Sequence, residues 1–547
     1  MQVYKPATRL ETHEVTNQPP PLVNRNFYHD DVALREGVLR GAGQWLDERM
    51  TALGAAVGSD AVLDLGVEAN RNPPVLEQFD RYGRRIDAVR FHPAYHRLMA
   101  LAMEHHIHDI AWTTEAPGRH LAHAAMLALF TEAEAGVMCP INMSYAGVPA
   151  LRTQPDVAAP WLDALLGGSY DAPLRPIAEK AGITLGMAMT EKQGGSDVRA
   201  NSTRAEPVDR AARLWRLTGH KWFCSAPMSD GFLTLAYGET GLSCFLVPRI
   251  APDGERNAIH VMRLKDKLGN RSNASSEIEY HGALGWLLGE EGRGVQVIID
   301  MVHHTRLGTI AGTLGIMRRA LAEAVNHAQG RRVFQKKLID QPAMRGVLAD
   351  LALEYEAAVA LVVRVACAFD DEDAAGRAFA RLAVAVAKYW LTRRNPAFVF
   401  ECMECLGGAG YVEEGPMPRL FRESPLNAIW EGSGNVIALD VLRTLAKAPL
   451  SGEVFLAELA SERGKHGRFD AALDSLSADL SRPVGEAQAR ALVGRMALLL
   501  QAALLLRDAP AAVAEAFCET RLAGDGRLFG TLPDNADVEA ILARQLL

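Results

Sequence analysis

A single carboxylate stands between a large aromatic ring and a turn of small residues in the segment Ile429-Trp430-Glu431-Gly432-Ser433-Gly434-Asn435. An aromatic wall excludes water from a carboxylate and so raises its proton affinity, while glycine lets a planar ligand approach the backbone. These properties suit Glu431 to take a proton from carbon as a general base. The same pattern also fits the start of a helix, where a glutamate stabilises the first turn.

A second candidate site is the glycine-rich segment Thr190-Glu191-Lys192-Gln193-Gly194-Gly195-Ser196-Asp197-Val198. The hydroxyls of Thr190 and Ser196 and the unshielded amides can bind phosphate oxygens or the carbonyls of a flavin ring. Downstream, the indole of Trp222 can pack on a tricyclic ring, and Ser225 follows it closely. A glycine loop alone is often only a turn, and a strand tryptophan is often core, so the two together favour a ligand site.

The bulk composition describes an ordinary soluble protein of several domains. A chain of 547 residues is too long for one core, and roughly three to five units are expected. Its net charge of -8 means that any polyanion must meet a local basic patch. The seven scattered cysteines favour a reducing cytoplasm over a disulfide framework. Because no apolar stretch approaches the ~20 residues of a membrane span, we expect the protein to be neither exported nor integral.

The period of the apolar residues divides the chain into successive units. Residues 1–30 are polar and proline-bearing and predict an extended arm. Helical spacing predicts an α-helical domain over 31–182, and period two predicts a β-domain over 183–288. Helical spacing returns over 289–446 and again, beyond the Pro449 break, over 447–547.

Other cofactor signals are weak. Cys402 and Cys405 have C-x-x-C spacing, but the sequence has no second pair of this kind. Two groups of histidines lack the set of carboxylate or cysteine ligands typical of a metal site: His105, His106 and His108, and His303 and His304. We therefore expect no metal site. The chain has neither a G-x-G-x-x-G fingerprint nor a phosphate-loop lysine motif, which disfavours nicotinamide and nucleotide-triphosphate enzymes.

Six segments in order resemble the motifs of the acyl-CoA dehydrogenase family: 190–198, 219–225, 267–272, 331–334, 406–411 and 430–435. The resemblance implies an α+β fold, with an N-terminal helical bundle, a central antiparallel β-domain and a C-terminal helical bundle. The tail would be an additional helical domain.

The resemblance also implies a bound FAD, an acyl-CoA substrate and a homotetramer. Glu431 matches the base that removes a proton beside the thioester carbonyl while a hydride leaves for the flavin. Some members carry this glutamate on the helix where this chain has Thr305 and Arg306, so Glu431 is the only candidate. The implied flavin contacts are Thr190, Ser196, Trp222 and Ser225, and those around the base are Trp430, Gly432, Ser433 and Asn435. The implied contacts to the adenosine half, on a neighbouring subunit, are Arg331, Phe334, Gly407, Gly408 and Gly410.

Within that family, the arm, the tail and segments 217–223 and 430–435 resemble the AidB-type branch, the bacterial alkylation-response flavoproteins. This implies feeble activity on isovaleryl-CoA and non-specific binding of double-stranded DNA through Arg443 and Arg521, in a role protecting DNA from alkylation. Departures from the wider family at Lys192, Cys224 and Glu404 weaken the fit to acyl-CoA.

Three alternatives share these observations. An ordinary short- or branched-chain acyl-CoA dehydrogenase is favoured by the retained Glu431. A nitroalkane-type oxidase has the same fold but typically an aspartate base, which the glutamate argues against. A non-enzymatic scaffold would be colourless on purification.

Overall fold

The first helical domain surrounds a fully buried helix. A computed structural model describes residues 5–524 and 528–547, so residues 1–4 of the predicted arm and 525–527 of the tail lie outside the described residues. The helices of this domain are α1 (Val32–Gly41), α2 (Gln44–Val57), α3 (Asp60–Arg71), α4 (Pro93–Glu104), α5 (Ile110–Thr113), α6 (Arg119–Thr131), α7 (Met138–Arg152) and α8 (Pro155–Leu165). Helix α6 carries alanine, leucine, methionine and phenylalanine on every side and packs against its neighbours all round.

A β-hairpin interrupts this domain, where the sequence analysis predicts helices only. Strands β1 (Val75–Phe79) and β2 (Arg85–Arg90) pair antiparallel. Pro73 and Pro74 end the helical period, and Gly83 adopts a φ of 79° in the connecting turn. The alternation is too short for periodicity to distinguish it from a loop, which is why it was missed.

The central domain is a seven-stranded sheet. Its strands are β3 (Leu185–Ala188), β4 (Arg204–Asp209), β5 (Leu214–Ser225), β6 (Gly231–Tyr237), β7 (Leu242–Pro248), β8 (Ile259–Leu264) and β9 (Ser275–Leu288). Most pairs are antiparallel, but β3 and β6 are parallel, so the sheet is mixed and the expected purely antiparallel domain is corrected. Trp215 and Phe245 meet at 5.8 Å between ring centroids in its core.

The second helical domain is built on the 37-residue helix α9 (Gly294–Gly330), which contacts both the first domain and the sheet. A small hairpin of β10 (Arg332–Val333) and β11 (Lys336–Lys337) follows it. The remaining helices are α10 (Pro342–Ala368), α11 (Ala374–Cys405), α12 (Met417–Glu423) and α13 (Gly434–Lys447).

The tail is a further helical layer on α10, α11 and α13. It comprises α14 (Pro449–Ala460), α15 (Gly467–Leu480), α16 (Ala489–Asp508), α17 (Ala511–Arg521) and α18 (Val538–Ala543). The segment Glu486–Asp508 is long and apolar enough to cross a membrane, but 72% of its apolar window is buried in the bundle, as expected for a core helix. The predicted fold class, helical bundle, sheet, helical bundle and added helical tail, is confirmed.

Candidate active site

Glu431 lies in a tight turn between a short 3₁₀ segment, Leu426–Ala428, and the start of α13. Its backbone adopts a φ of 57°, in the left-handed region that residues with a β-carbon avoid. It is therefore not a first-turn residue of an ordinary helix start. Such strained conformations persist only where the surroundings impose them, and they concentrate at functional sites.

The carboxylate of Glu431 is half-buried and is hydrogen-bonded to the long helix α9. The Thr305 hydroxyl donates to Glu431 Oε2 at 2.7 Å. Burial raises the pKa of Glu431, and the Thr305 hydrogen bond and the cations of Lys388 and Arg306 oppose that rise. The result is a carboxylate with increased proton affinity, the property required of a base that attacks a weak carbon acid.

Trp430 is half-buried beside the carboxylate, and its ring is fixed by a polar chain. The indole Nε1 donates to Asn427 Oδ1 at 2.9 Å, and Asn427 Nδ2 donates to Thr313 Oγ1 at 3.0 Å. Helix α9 thus orients both the carboxylate, through Thr305, and the neighbouring aromatic wall, through Thr313.

The segment 190–197, called here the Thr190 loop, is anchored from beneath by a buried ion pair. Lys221 Nζ lies 2.8 Å from Glu191 Oε1, and both side chains are fully buried. Burial alone would raise the pKa of Glu191, but the Lys221 ammonium and the hydrogen bonds from Thr203 and Ser202 lower it to about 2. The pair is formed by residues 30 positions apart in the sequence, and no local pattern indicates it.

Thr190 follows β3, Trp222 and Ser225 lie at the C-terminal end of β5, and all three are half-buried, whereas Ser196 is exposed on the Thr190 loop. The Trp222 amide donates to the Thr190 carbonyl at 2.8 Å, which brings the two predicted contacts together. Beside Ser225, the amide side chain of Asn273 is buried, yet neither its nitrogen nor its oxygen has a partner in the described part of the chain.

These features fit a flavin. A flavin ring presents alternating donors and acceptors along one edge, which suits the hydroxyls and the orphaned amide. Lys265 Nζ lies 3.2 Å from the centroid of the Trp222 ring, and this cation–π contact orients the indole.

Three of the residues predicted to reach the adenosine half are exposed: Phe334, Gly407 and Gly408. Phe334 and Gln335 form the two-residue loop of the β10–β11 hairpin with φ of 50° and 69°, and Phe334 is 89% exposed. Gly407 and Gly408 have open space where a side chain would point. A bulky, exposed phenylalanine in the left-handed region, and glycines with open space around them, are each suited to contact with a ligand or another subunit.

Two predicted contacts at this surface have other roles. A side chain on Gly410 would approach the Met403 carbonyl to 2.3 Å, so the close packing of this segment on the end of α11 requires a glycine. Arg331 Nη1 donates to the Asn17 carbonyl at 2.8 Å, which ties the N-terminal arm to the end of α9.

The two arginines predicted to bind DNA have different environments. Arg443 is exposed on α13. Arg521 is only 5% exposed, and its guanidinium lies 2.5 Å from Asp350 Oδ1 and 3.0 Å from Glu354 Oε2. The predicted DNA contact of Arg521 stays a prediction that this environment does not favour, because a buried guanidinium paired with two carboxylates is not presented to a phosphate.

Three residues around Glu431 were missed as site residues. Lys388 on α11 donates from Nζ to the carbonyls of Trp430 and Gly432, at 2.8 Å in the first case. Arg306 pairs with Asp440 at 2.8 Å and donates to the Glu431 carbonyl at 3.4 Å. In the sequence, Thr305 and Arg306 are informative only because they stand where some family members carry the catalytic glutamate. No local signal marks Lys388, which lies in a helical alanine-rich segment.

Family models cover most of the chain in three consecutive pieces. The AidB adaptive-response N-terminal domain matches residues 17–172, the acyl-CoA dehydrogenase middle domain matches 186–283 and the acyl-CoA dehydrogenase C-terminal domain matches 292–446. An Escherichia coli K12 protein named "Putative acyl-CoA dehydrogenase AidB" is 45% identical over 515 residues, which cover 94% of this chain and 95% of that protein. Acyl-CoA dehydrogenase family member 11 of Caenorhabditis elegans is 32% identical over 70% of this chain and 64% of that protein.

Solved structures agree. The crystal structure of Caenorhabditis elegans ACDH-11 in complex with C11-CoA has a TM-score of 0.85 at 27% identity and covers 95% of this chain and 94% of that chain. The apo form of Bd2924 has a TM-score of 0.81 at 27% identity and covers 93% of this chain and 100% of that chain.

Proposed function

The chain belongs to the acyl-CoA dehydrogenase family, in its AidB-type branch, and we propose that it serves the response to DNA alkylation. It is an FAD-dependent oxidoreductase of the acyl-CoA dehydrogenase type. In the proposed role it binds double-stranded DNA without sequence preference and retains weak dehydrogenase activity on a short or branched acyl-CoA such as isovaleryl-CoA.

The chemistry assigned to the site begins with proton removal by Glu431. The base takes the proton next to the thioester carbonyl, and its half-buried position limits the access of water to the carboxylate. When bound, FAD supplies the acceptor for the hydride that leaves the adjacent carbon. Thr190, Ser196, Trp222 and Ser225 would hold the flavin ring. The single observation that supports this reaction is the Glu431 carboxylate, half-buried in a strained turn and hydrogen-bonded to Thr305.

The proposed weakness of the acyl-CoA reaction has support in the sheet. Cys224 is fully buried in the core of the β-domain, so its position contributes no hydroxyl to the flavin edge. Ser225, the next residue, is half-buried and within 3.2 Å of Ser275 Oγ. The ACDH-11 structure was solved with C11-CoA, which makes an acyl-CoA the class of probe to use here.

DNA binding is supported by exposed cations on three helices that pack together, α11, α13 and α16. No carboxylate lies within ion-pair distance of these side chains in the described part of the chain. We call them the cationic face: Arg393, Arg443, Lys447 and Arg490. Each phosphate that such a face neutralises adds salt-dependent affinity and no sequence preference.

A homotetramer is part of the proposal. The exposed Phe334 and the open Gly407 and Gly408 suit contact with another subunit, and several copies would align several cationic faces along one duplex. The protein is proposed to act in the cytoplasm, because bacterial DNA lies there and cysteine thiols stay reduced there.

The decisive experiment pairs flavin reduction with DNA affinity on wild type and Glu431→Gln. Purified protein is first scanned for flavin absorbance, then reduced anaerobically with isovaleryl-CoA or C11-CoA, and then titrated with duplex DNA at two salt concentrations. We expect yellow protein, slow reduction that the substitution abolishes, and DNA binding that it leaves unchanged. Undetectable DNA binding at low salt would refute the alkylation-response role.

The retained Glu431 also favours a second candidate function, an ordinary short- or branched-chain acyl-CoA dehydrogenase. Rapid bleaching of the flavin by one acyl-CoA, lost in Glu431→Gln, together with no DNA binding, would establish it instead.

A further inference from the structure

We propose that Lys388 is a positioning residue for the base: its ammonium holds the backbone carbonyls on both sides of Glu431 and so fixes the turn that presents the carboxylate. The inference rests on the proposed function, since it assigns Lys388 a part in the reaction of Glu431. It goes beyond that function by naming a residue of another helix on which the base depends.

The geometry is specific. Lys388 lies on α11, is 1% exposed, and donates from Nζ to Trp430 O at 2.8 Å and to Gly432 O. These two carbonyls belong to the residues immediately before and after Glu431. One side chain therefore fixes the peptide planes on either side of the base.

The backbone conformation of this turn requires stabilising contacts. Glu431 has a φ of 57° and Gly432 a φ of 102°, so two successive residues occupy the left-handed half of backbone space. Glycine adopts such angles freely, but glutamate does not. A residue of this kind keeps its conformation only when contacts around it impose it.

A packing role alone does not account for a lysine here. Burying an ammonium is unfavourable unless hydrogen bonds and nearby charge compensate it, and in the described residues no carboxylate lies within ion-pair distance of Lys388. An apolar side chain would fill the same space without that cost. The compensation comes from the two carbonyls and, at longer range, from the Glu431 carboxylate.

Charge also couples the two residues. Burial lowers the pKa of Lys388, the Glu431 carboxylate raises it and Arg306 lowers it, and together they bring the pKa to about 7. In return, the Lys388 cation lowers the pKa of Glu431. The surrounding titratable groups are Arg306 and His303 on α9, Arg381 on α11, Asp440 on α13 and Cys139 on α7.

The test uses the flavin-loaded enzyme and the substitution Lys388→Met, with Arg377→Met on the exposed first turn of the same helix as the control. The first readout is hydrogen exchange of the 429–436 backbone. We expect the backbone amides of 429–436 to exchange faster in Lys388→Met than in wild type, and at the wild-type rate in Arg377→Met. The second readout is anaerobic flavin reduction by isovaleryl-CoA, with an expected fall of at least about 30-fold in the limiting rate and little change in the concentration for half-maximal rate.

The pH profile separates positioning from general loss of structure. Glu431 must be ionised to act, so reduction falls as pH drops through its pKa. Without the Lys388 cation that pKa rises, and the acid limb of the Lys388→Met profile is expected to move to higher pH. In a Glu431→Gln background, Lys388→Met is expected to slow the residual reduction no further, because the two residues act as a unit.

An unshifted acid limb, unchanged exchange over 429–436, or a full additional rate loss in the Glu431→Gln background would each overturn the proposal. If Lys388→Met does not retain flavin, Lys388→Arg tests the proposal instead, because arginine keeps a hydrogen-bond donor and a permanent positive charge. It is expected to keep the wild-type acid limb, and a limb shifted to higher pH would refute the inference. If wild type is not reduced by any acyl-CoA, the proposed function fails, and the exchange comparison still tests whether Lys388 holds the turn.

Discussion

The hydroxyl of Thr305 lies 2.7 Å from Glu431 Oε2 and 2.9 Å from the carbonyl oxygen of Val302. A hydroxyl has one proton, so it can donate to only one of these acceptors at a time. While Glu431 is ionised, Thr305 donates to the carboxylate. Once Glu431 has taken a proton, the carboxyl can donate to Thr305 and the Thr305 proton can turn to Val302. The same side chain thus serves the base before and after proton transfer.

Thr305→Val tests this arrangement. Because the hydroxyl stabilises the ionised carboxylate, its loss should raise the pKa of Glu431 and move the acid limb of flavin reduction to higher pH. A hydrogen bond to a charged group is worth about 1.5–3 kcal/mol, so reduction near neutral pH should slow by roughly 10-fold or more. Thr309→Val is the matched control, since the Thr309 hydroxyl donates only to the Thr305 carbonyl at 2.8 Å. Equal effects of both substitutions would mean that the loss is structural.

Glu431→Gln removes the base without changing the volume of the side chain. General-base catalysis contributes about 10²–10⁴-fold, and the rate of flavin reduction by an acyl-CoA should fall by that range. Flavin absorbance and the thermal midpoint should stay near those of wild type, because the amide can still accept from Thr305. Reduction at the wild-type rate would show that another group takes the proton.

Substitutions of Arg521 and Arg443 should have different effects: the first on stability and the second on DNA affinity. Removing the Arg521 guanidinium leaves Asp350 and Glu354 with less buried charge compensation, and breaking such a pair costs about 3–5 kcal/mol. Arg521→Met should therefore lower the free energy of unfolding, measured in denaturant, and loosen the tail from α10. Arg394, which also pairs with Glu354 at 2.9 Å, limits the loss.

Arg443→Met, in contrast, should leave the denaturant midpoint unchanged and weaken duplex binding. Its titration should also show a smaller dependence on salt, since one fewer phosphate is neutralised per subunit. If Arg443→Met binds as tightly as wild type at every salt concentration, the cationic face is not the DNA contact.

Glu191 gives the Thr190 loop a specific acid sensitivity. Its pKa in the folded protein is lowered to about 2 from an ordinary 4.5, so the ionised carboxylate contributes stability that is fully present above pH 4.5. That stability is lost as the pH falls from 4.5 towards 2. The difference in thermal midpoint between wild type and Glu191→Gln should therefore shrink over this window. Flavin release by wild type in acid should follow the same course, and a constant difference would contradict the assignment.

Local sequence patterns were sufficient to predict the order of the helical and β domains. The alternation of period two and period 3.6 places the sheet between two helical domains, because each period follows from which face of a strand or helix is buried. The Glu431 and Thr190 segments were recognisable for a similar reason. Their chemistry is carried by neighbouring residues, and a turn of small residues can be read directly. The hairpin Val75–Arg90 was missed because its alternation is short.

The sequence by itself indicated Glu431 as the candidate base and the Thr190 loop as a candidate flavin contact, and it determined the order of the domains. Only the tertiary structure decided what surrounds the base and which arginines are accessible. Thr305 reaches Glu431 across 126 positions of the chain and Lys388 reaches Trp430 across 42, while Arg521 meets Asp350 across 171. A lone threonine, lysine or arginine in a helix has the same local pattern whether it is solvated or buried, since its partner is set by how helices pack. Packing over such distances depends on the whole core, and no local spacing records it.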